Sequence, residues 1–319
     1  MRALVFDQFG GPEVLRLREI PDPVPGADDV LVRTRAIGLN FADIYRRQGH
    51  YHLAGDPPWI CGYEAAGDVV SAPADCGFAP GDRVAFADSP YANADLVAVP
   101  AGRLIPLPDD ISYETAAALL LQGLTAQYLI RDSHPLRAGE TVLVHAAAGG
   151  VGQLLVQLAV AAGARVLALA STPEKTTTAA AAGAHATATY AQDWVAAAQA
   201  FGDGGVDVAY DSVGSTLQDS LRAVRTGGHV VFFGMAGGNP AQVDPRSLMD
   251  GSKSLTGGDL WNVLRTPADR RQRAAELFAS VRDGSLNVSI DSRYRLADGA
   301  AAHAHLQSRR ALGKVLLIP

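Results

Sequence analysis

The chain has 319 residues, 48% apolar and 19% charged, which suits two globular domains with sizeable cores and excludes wholesale disorder. A net charge of −6 without any basic block argues against a nucleic-acid or anionic-membrane surface, since either needs clustered Lys and Arg. Two cysteines, Cys61 and Cys76, cannot build a disulfide framework or a four-thiolate zinc site.

The opening residues, Met1 to Asp7, meet an acid too soon for a signal peptide. In the first hundred residues, stretches 2–7, 14–20, 30–39, 65–71, 83–87 and 94–100 are rich in Val, Leu and Ala and read as strands. Turn chemistry separates them, as at Gly10-Gly11-Pro12, Pro57-Pro58 and Pro80-Gly81-Asp82. Strands this short and this closely spaced predict a compact β-barrel or sandwich.

From about Ile111 the texture changes to alternating helix and strand. Residues 115–131 are apolar at helical spacing, with Ser112 placed to cap them. Strand 141–146, helix 150–162, strand 164–170, helix 173–182, strand 185–190, helix 193–201, strand 206–211 and helix 215–225 follow; strands 229–234 and 252–256 complete six. The alternation predicts a parallel sheet covered on both faces. The apolar stretch 154–170 is interrupted by Gln157, Gly163 and Arg165, short of the ~20 residues a membrane span needs. We therefore expect a soluble cytoplasmic protein. Residues 267–283 read as a charged amphipathic helix, and His303-Ala-His305 as part of a surface helix. The final strand, 314–318, has no place in the α/β block and is expected to return to the first domain. The predicted domains are thus 1–122 with 263–319, and an inserted 123–262.

The most informative local segment is 141–152, Thr-Val-Leu-Val-His-Ala-Ala-Ala-Gly-Gly-Val-Gly, a strand running through a glycine-rich turn into a helix. Ala147, Gly149 and Gly152 fall in register with the dinucleotide fingerprint, Ala replacing the first glycine. Ala148, Gly149, Gly150, Val151 and Gly152 would then bring backbone amides to a pyrophosphate at the helix start. A glycine loop alone can be a mere tight turn; the flanking strand, helix and second strand favour the nucleotide.

The second strand bears on which nucleotide. An NAD site usually ends it with Asp or Glu, whose carboxylate takes the ribose hydroxyls. Here it runs out through Leu169-Ala-Ser-Thr-Pro-Glu-Lys175, with Ser171 where the acid would stand. Ser171 can donate to a 2′-phosphate and Lys175 can neutralise it, whereas a carboxylate would repel it. Lys175 is one of only three lysines, and Tyr190, closing the next strand, is a third candidate for the same phosphate. The residues favour NADPH over NADH.

A longer series now becomes recognisable: Asn40-x-x-Asp43-x-x-x-Arg47-x-Gly49-x-Tyr51, Gly62-Tyr-Glu-Ala-Ala-Gly67, Gly81-Asp-Arg-Val84, Gln122-Gly-Leu-Thr125, Ala146 to Gly152, and Asp211-Ser-Val-Gly214. In order and spacing it resembles the zinc-independent quinone oxidoreductases of the medium-chain dehydrogenase/reductase superfamily, the group that includes zeta-crystallin. The resemblance covers nearly the whole chain. It implies a GroES-like barrel split by a Rossmann domain of six parallel strands, a cofactor cleft between them, and a homodimer. The edge strand near 252–256 is a candidate for sheet continuation between copies.

The alcohol-dehydrogenase branch has a Cys or equivalent ligand where this chain has Asn40, and a His where it has Tyr63; a third ligand would fall around Leu120. Neither an amide nor a phenol suits Zn²⁺, so no metal is expected. Without a Lewis acid the accessible chemistry is hydride delivery to an acceptor already electrophilic, a quinone or a conjugated enone or alkenal. A nucleotide-binding structural protein with vestigial turnover is the reading from another class. By resemblance Asn40, Tyr45 and Tyr51 line the reaction site, Asn40 also donating to ribose or oxyanion; packing at the domain junction is the alternative. Asp43 and Arg47, four apart, are expected to pair and brace the loop. Thr125 would meet the cofactor at a helix start, and Ser212, Phe233 and Gly234 follow later strand ends where a nicotinamide would lie. Arg309 and Lys314 are cofactor candidates by family position, a solvated surface being the alternative for both. The segment Ser254-Leu-Thr-Gly-Gly-Asp-Leu-Trp261 departs from relatives that carry an arginine–proline pair there.

Overall fold

The computed structural model describes residues 1–51 and 55–319. The chain divides into two compact units: Met1–Leu121 with Leu264–Ser280 and Val288–Pro319, and Gln122–Val263 with Val281–Asn287. Both expected domain boundaries move by one residue. Residues 281–287, expected in the first domain, belong with the second, because the Gln157 side chain donates to the Asn287 carbonyl (3.0 Å) and accepts from its N–H (2.7 Å).

The first unit begins with β1 (Arg2–Phe6), β2 (Arg16–Glu19), β3 (Asp29–Gly38), α1 (Phe41–Arg47), β4 (Trp59–Ile60), β5 (Ala65–Ser71), β6 (Arg83–Phe86), β7 (Leu96–Pro100) and β8 (Ile105–Pro106). Helix α2 (Tyr113–Tyr128) follows, and its first turn is capped as expected, the Ser112 hydroxyl accepting from the Thr115 N–H. The second unit is β9 (Thr141–Val144), α3 (Gly150–Ala161), β10 (Arg165–Ala170), α4 (Pro173–Ala181), β11 (Ala186–Thr189), α5 (Trp194–Phe201), β12 (Val206–Asp211), α6 (Leu217–Ala223), β13 (Val224–Phe232), α7 (Pro245–Asp250), β14 (Ser254–Gly257) and α8 (Leu260–Val263). The chain then returns through α9 (Pro267–Arg282), β15 (Ile290–Arg295), α10 (Gly299–Gln307) and β16 (Lys314–Ile318). No helix among the described residues is long and apolar enough to cross a membrane.

The second unit is the doubly wound sheet, ordered β11-β10-β9-β12-β13-β14 and parallel throughout. Its centre reads as apolar runs because helices cover both faces: all four residues of β9 are buried. In the first unit β3 is the hub, pairing antiparallel with β5, β7 and β16. Leu316 lies opposite Gly38 and Leu317 opposite Ile37, so the final strand does return to the first unit. Leu4, Phe6, Val30, Ile37, Phe86, Val97, Val315 and Leu317 are among the residues of its core.

Two expectations fail here. His303 is not on a surface: α10 turns Ala302, His303 and Leu306 inward, and burial pushes the imidazole down to about 3, so it is neutral against the Arg47 guanidinium. Arg47 does not pair with Asp43 either; it donates to the Gly10 carbonyl and to Gln307, tying α1 to α10. Both residues were legible only as local spacing, and their partners lie far along the chain.

Gly38 ends β3 at a close approach. A Cβ there would fall 2.2 Å from the Ala117 carbonyl oxygen and 2.6 Å from a Glu64 carboxylate oxygen. Backbone on one side and a buried charge on the other leave no room to yield. We expect Gly38→Ala to lower the stability by about 1–3 kcal/mol, read as a lower denaturant midpoint at unchanged slope.

Candidate active site

In the second unit the candidate residues gather just beyond the C-terminal ends of successive strands. The glycine loop follows β9, Ser171 follows β10, Tyr190 follows β11, Ser212 follows β12, and Phe233 and Gly234 follow β13. Ligands of doubly wound sheets bind along this edge, at the point where strand order reverses, here between β9 and β12. Ser212 and Gly234 are neighbours, a Cβ on Gly234 falling 3.1 Å from the Ser212 carbonyl.

The loop itself fits a dinucleotide. Helix α3 has Gly149 at its N-cap, with no side-chain cap and no acid in its first turn. Helices α4, α5 and α7, by contrast, are capped by Thr172, Asp193 and Asp244. The first-turn amides of Gly150, Val151 and Gly152 are thereby left to an anion. A Cβ on Gly152 would fall 2.4 Å from the Ala146 carbonyl, so only glycine lets α3 sit this close to the loop. Ala148 is buried at the turn. Ser171 is exposed and leaves the capping of α4 to Thr172, while Lys175 stands on the first turn of that helix.

Tyr190, beyond β11, is tied to the glycine loop. Its hydroxyl accepts from the Ala146 N–H at 2.9 Å and lies 3.2 Å from His145 Nδ1. Ala146 has φ +47°, a left-handed conformation that a non-glycine residue holds at a cost of about 1–3 kcal/mol. Thr125 does not open a helix: it lies in the later turns of α2, which runs unbroken from Tyr113 to Tyr128.

In the first unit Asn40 precedes α1 and is 4% exposed. Its amide N–H groups go to the Gly38 carbonyl (3.2 Å) and the Glu64 carboxylate (3.0 Å), and its carbonyl oxygen accepts from the Lys314 ammonium (2.8 Å). Facing a carboxylate on one side and an ammonium on the other, the amide has one chemically sensible orientation. Both its donor hydrogens are engaged, contrary to the expectation of a donor to an oxyanion. Lys314, 1% exposed, is no surface residue: it pairs with Glu64, whose other oxygen accepts from the Leu121 N–H. Burial pulls its ammonium below the usual lysine range despite that partner. Arg309, in contrast, is exposed in a left-handed turn (φ +58°) after α10.

Around this cluster lies a run of aromatic rings. Tyr45 meets Tyr51 edge-on at 6.4 Å, and Tyr51 meets Tyr63 at 5.9 Å. The Tyr63 hydroxyl accepts from Arg46, whose guanidinium also lies over the rings of Tyr63 and Tyr91. Asp43 has its two oxygens on the Asn40 and Gly62 N–H groups. Sequence reasoning missed Glu64 and His145 as structural centres and gave Asp43 a different partner. A lysine heading the apolar strand Lys314-Val-Leu-Leu-Ile was the available signal that a buried acid awaited it.

A barrel unit interrupted in sequence by a dinucleotide sheet defines a medium-chain dehydrogenase/reductase. Residues 26–109 match the alcohol dehydrogenase GroES-like domain and residues 150–280 the zinc-binding dehydrogenase family. The chain is 41% identical to a quinone oxidoreductase of Pseudomonas aeruginosa, covering 100% of this chain and 99% of that protein. It is 36% identical to a 2-haloacrylate reductase of a Burkholderia species over 99% and 98%. The Escherichia coli quinone oxidoreductase complexed with NADPH superimposes with a TM-score of 0.96 at 35% identity, over 100% of both chains. The chain belongs to the quinone oxidoreductase family of that superfamily.

Burial pushes the Asp43 carboxyl up to about 6, against the opposing pull of the Asn40 N–H, Lys314, the Gly62 N–H and Arg46. A carboxyl raised on folding binds its proton more tightly in the native state. Its contribution to stability is therefore present at low pH and is lost as pH rises through about 6. Asn at this position cannot titrate and offers one acceptor to two N–H donors. The stability difference between wild type and Asp43→Asn should shift towards wild type by roughly 2–3 kcal/mol between pH 7 and pH 4. Denaturant titrations of both proteins across that range check it.

Proposed function

We propose that the protein is an NADPH-dependent quinone reductase that works without metal or flavin. The observation that carries the reading is the uncapped glycine-loop helix with Ser171 and Lys175, rather than an acid, beyond the next strand. Gly150, Val151 and Gly152 hold the pyrophosphate by their amides, and Ser171 and Lys175 hold the 2′-phosphate. When bound, NADPH supplies a hydride. Ser212, Phe233 and Gly234 shape the bed for the nicotinamide end, and Thr125 and Arg309 are further contacts to the cofactor. Asn40 contributes a fixed amide, and Tyr45 and Tyr51 stack on an aromatic acceptor, their phenol hydroxyls holding a proton for its oxygen.

The donor set does not suit zinc. The Asn40 carbonyl oxygen already accepts from an ammonium and the Tyr63 hydroxyl from a guanidinium, so a cation occupies the direction a metal would need at each. Cys61 is buried against the Asp43 carbonyl and its thiol is pushed up by burial, away from the thiolate that binds metal. With no Lewis acid, acceptors must carry their own electrophilicity. The similarity to a 2-haloacrylate reductase supports conjugated alkenes as the alternative acceptor class.

Steady-state NADPH oxidation against quinones and conjugated enones or alkenals tests the reading, with product analysis separating carbonyl from alkene reduction. We expect turnover on quinones and a loss of about 10–100-fold in kcat/KM for Asn40→Ala; unchanged kinetics would remove Asn40 from the site. We further propose a cytoplasmic homodimer joined along β14, the edge strand of its sheet. Light scattering at micromolar concentration should give twice the chain mass, and a monomer would refute the dimer.

A further inference from the structure

Behind the glycine loop a chain of polar groups crosses the second unit and ends on a buried carboxylate. The Asp211 carboxylate accepts from the N–H groups of Val213 and Gly214 on one oxygen and from the hydroxyls of Thr216 and Ser220 on the other. Burial alone would raise its pKa, but the N–H and hydroxyl donors hold it below the usual carboxylate range. The single Ser220 proton goes to Asp211 at 2.7 Å, the charged and nearer acceptor, rather than to the Thr216 carbonyl at 3.1 Å. Ser220 Oγ is then an acceptor towards His145 Nε2, 3.0 Å away, which must carry the imidazole proton. His145 is 1% exposed and burial lowers its pKa, so the ring is neutral and Nδ1 bears a lone pair. Across 3.2 Å that lone pair takes the Tyr190 hydroxyl proton, and the Tyr190 oxygen accepts from the Ala146 N–H. The hydrogen bonds run in one direction: Ala146 to Tyr190 to His145 to Ser220 to Asp211. Packing keeps the ring in place, since His145 stacks on Tyr190 (22° between planes) and meets Trp194 edge-on at 5.1 Å.

We infer that His145 and Tyr190 are positioning residues for the cofactor loop: the hydrogen-bond chain anchored on Asp211 holds Ala146 in its left-handed turn and thereby aims the amides of the α3 N-terminus. The inference rests on the reading that this loop binds NADPH. It gives Tyr190 a task common to both nicotinamide dinucleotides, because the pyrophosphate is shared by NADH and NADPH and the 2′-phosphate is not.

Binding of NADPH and NADH to the full chain, followed by calorimetry, separates the possibilities. Tyr190→Phe and His145→Leu should each weaken both dinucleotides by a similar factor, about fivefold for one lost hydrogen bond. The double variant should be little weaker than either single one, because the two residues act in series. His145→Gln, which keeps a donor and an acceptor, should recover most of the affinity and covers the case in which the leucine variant fails to fold. Imidazole nitrogen NMR of the cofactor-free protein should show His145 neutral with its proton on Nε2. Loss confined to NADPH in Tyr190→Phe, additive losses in the double variant, or an Nδ1–H tautomer would each overturn the inference. Lys175→Ala is the separate check on the cofactor reading: it should weaken NADPH alone. A wild-type chain that binds neither dinucleotide would overturn that reading itself.

Discussion

The ammonium of Lys314 against the carboxylate of Glu64 is the contact on which the first unit is organised. Both groups are buried, at 1% and 0% exposure, and neither can be withdrawn alone without stranding the other's charge. Breaking such a pair from one side typically costs about 3–5 kcal/mol, although the intact pair adds little net stability over an apolar replacement. Its value here is positional. Lys314 heads the last strand, Glu64 precedes β5, and Asn40 bridges the two, so residues far apart in sequence are held in one register. The strand that closes the barrel unit and the orientation of the Asn40 amide are set by the same pair.

The second unit was almost fully legible because its information is local. A parallel sheet covered on both faces leaves continuous apolar strands, and glycine, serine and proline mark where each ends. The first unit was legible only in part. Its long strands were found, but α1, β4, β8 and β15 were not assigned and α10 was read only as a surface helix around His303, since short elements with half-buried faces give no sustained period. The inward face of α10 is built on a histidine, and a histidine in a short alanine-rich helix reads as surface until its partner, Arg47, is known.

The same division runs through the site. Gly149 to Gly152, Ser171 and Lys175 lie within one strand–loop–helix–strand unit, so fingerprint and spacing reach them. The Glu64–Lys314 contact spans 250 residues and the Ser220–His145 contact 75 residues, and no short-range pattern encodes either. The resemblance to a family reached Asn40, and position at a strand end reached Tyr190, but neither reached their hydrogen-bond partners, which lie far along the chain.

That difference has a chemical consequence for how the site handles charge. Each unit holds polar groups whose hydrogen bonds are already set: the Asn40 amide between carboxylate and ammonium, the Tyr190 hydroxyl between an N–H and an imidazole. Groups fixed in this way do not reorganise when charge moves nearby, which is the condition under which a polar site stabilises developing charge. They also cannot follow the acceptor through a change of shape. On the proposed function, discrimination among acceptors is then left to other groups, in the first unit Tyr45 and Tyr51.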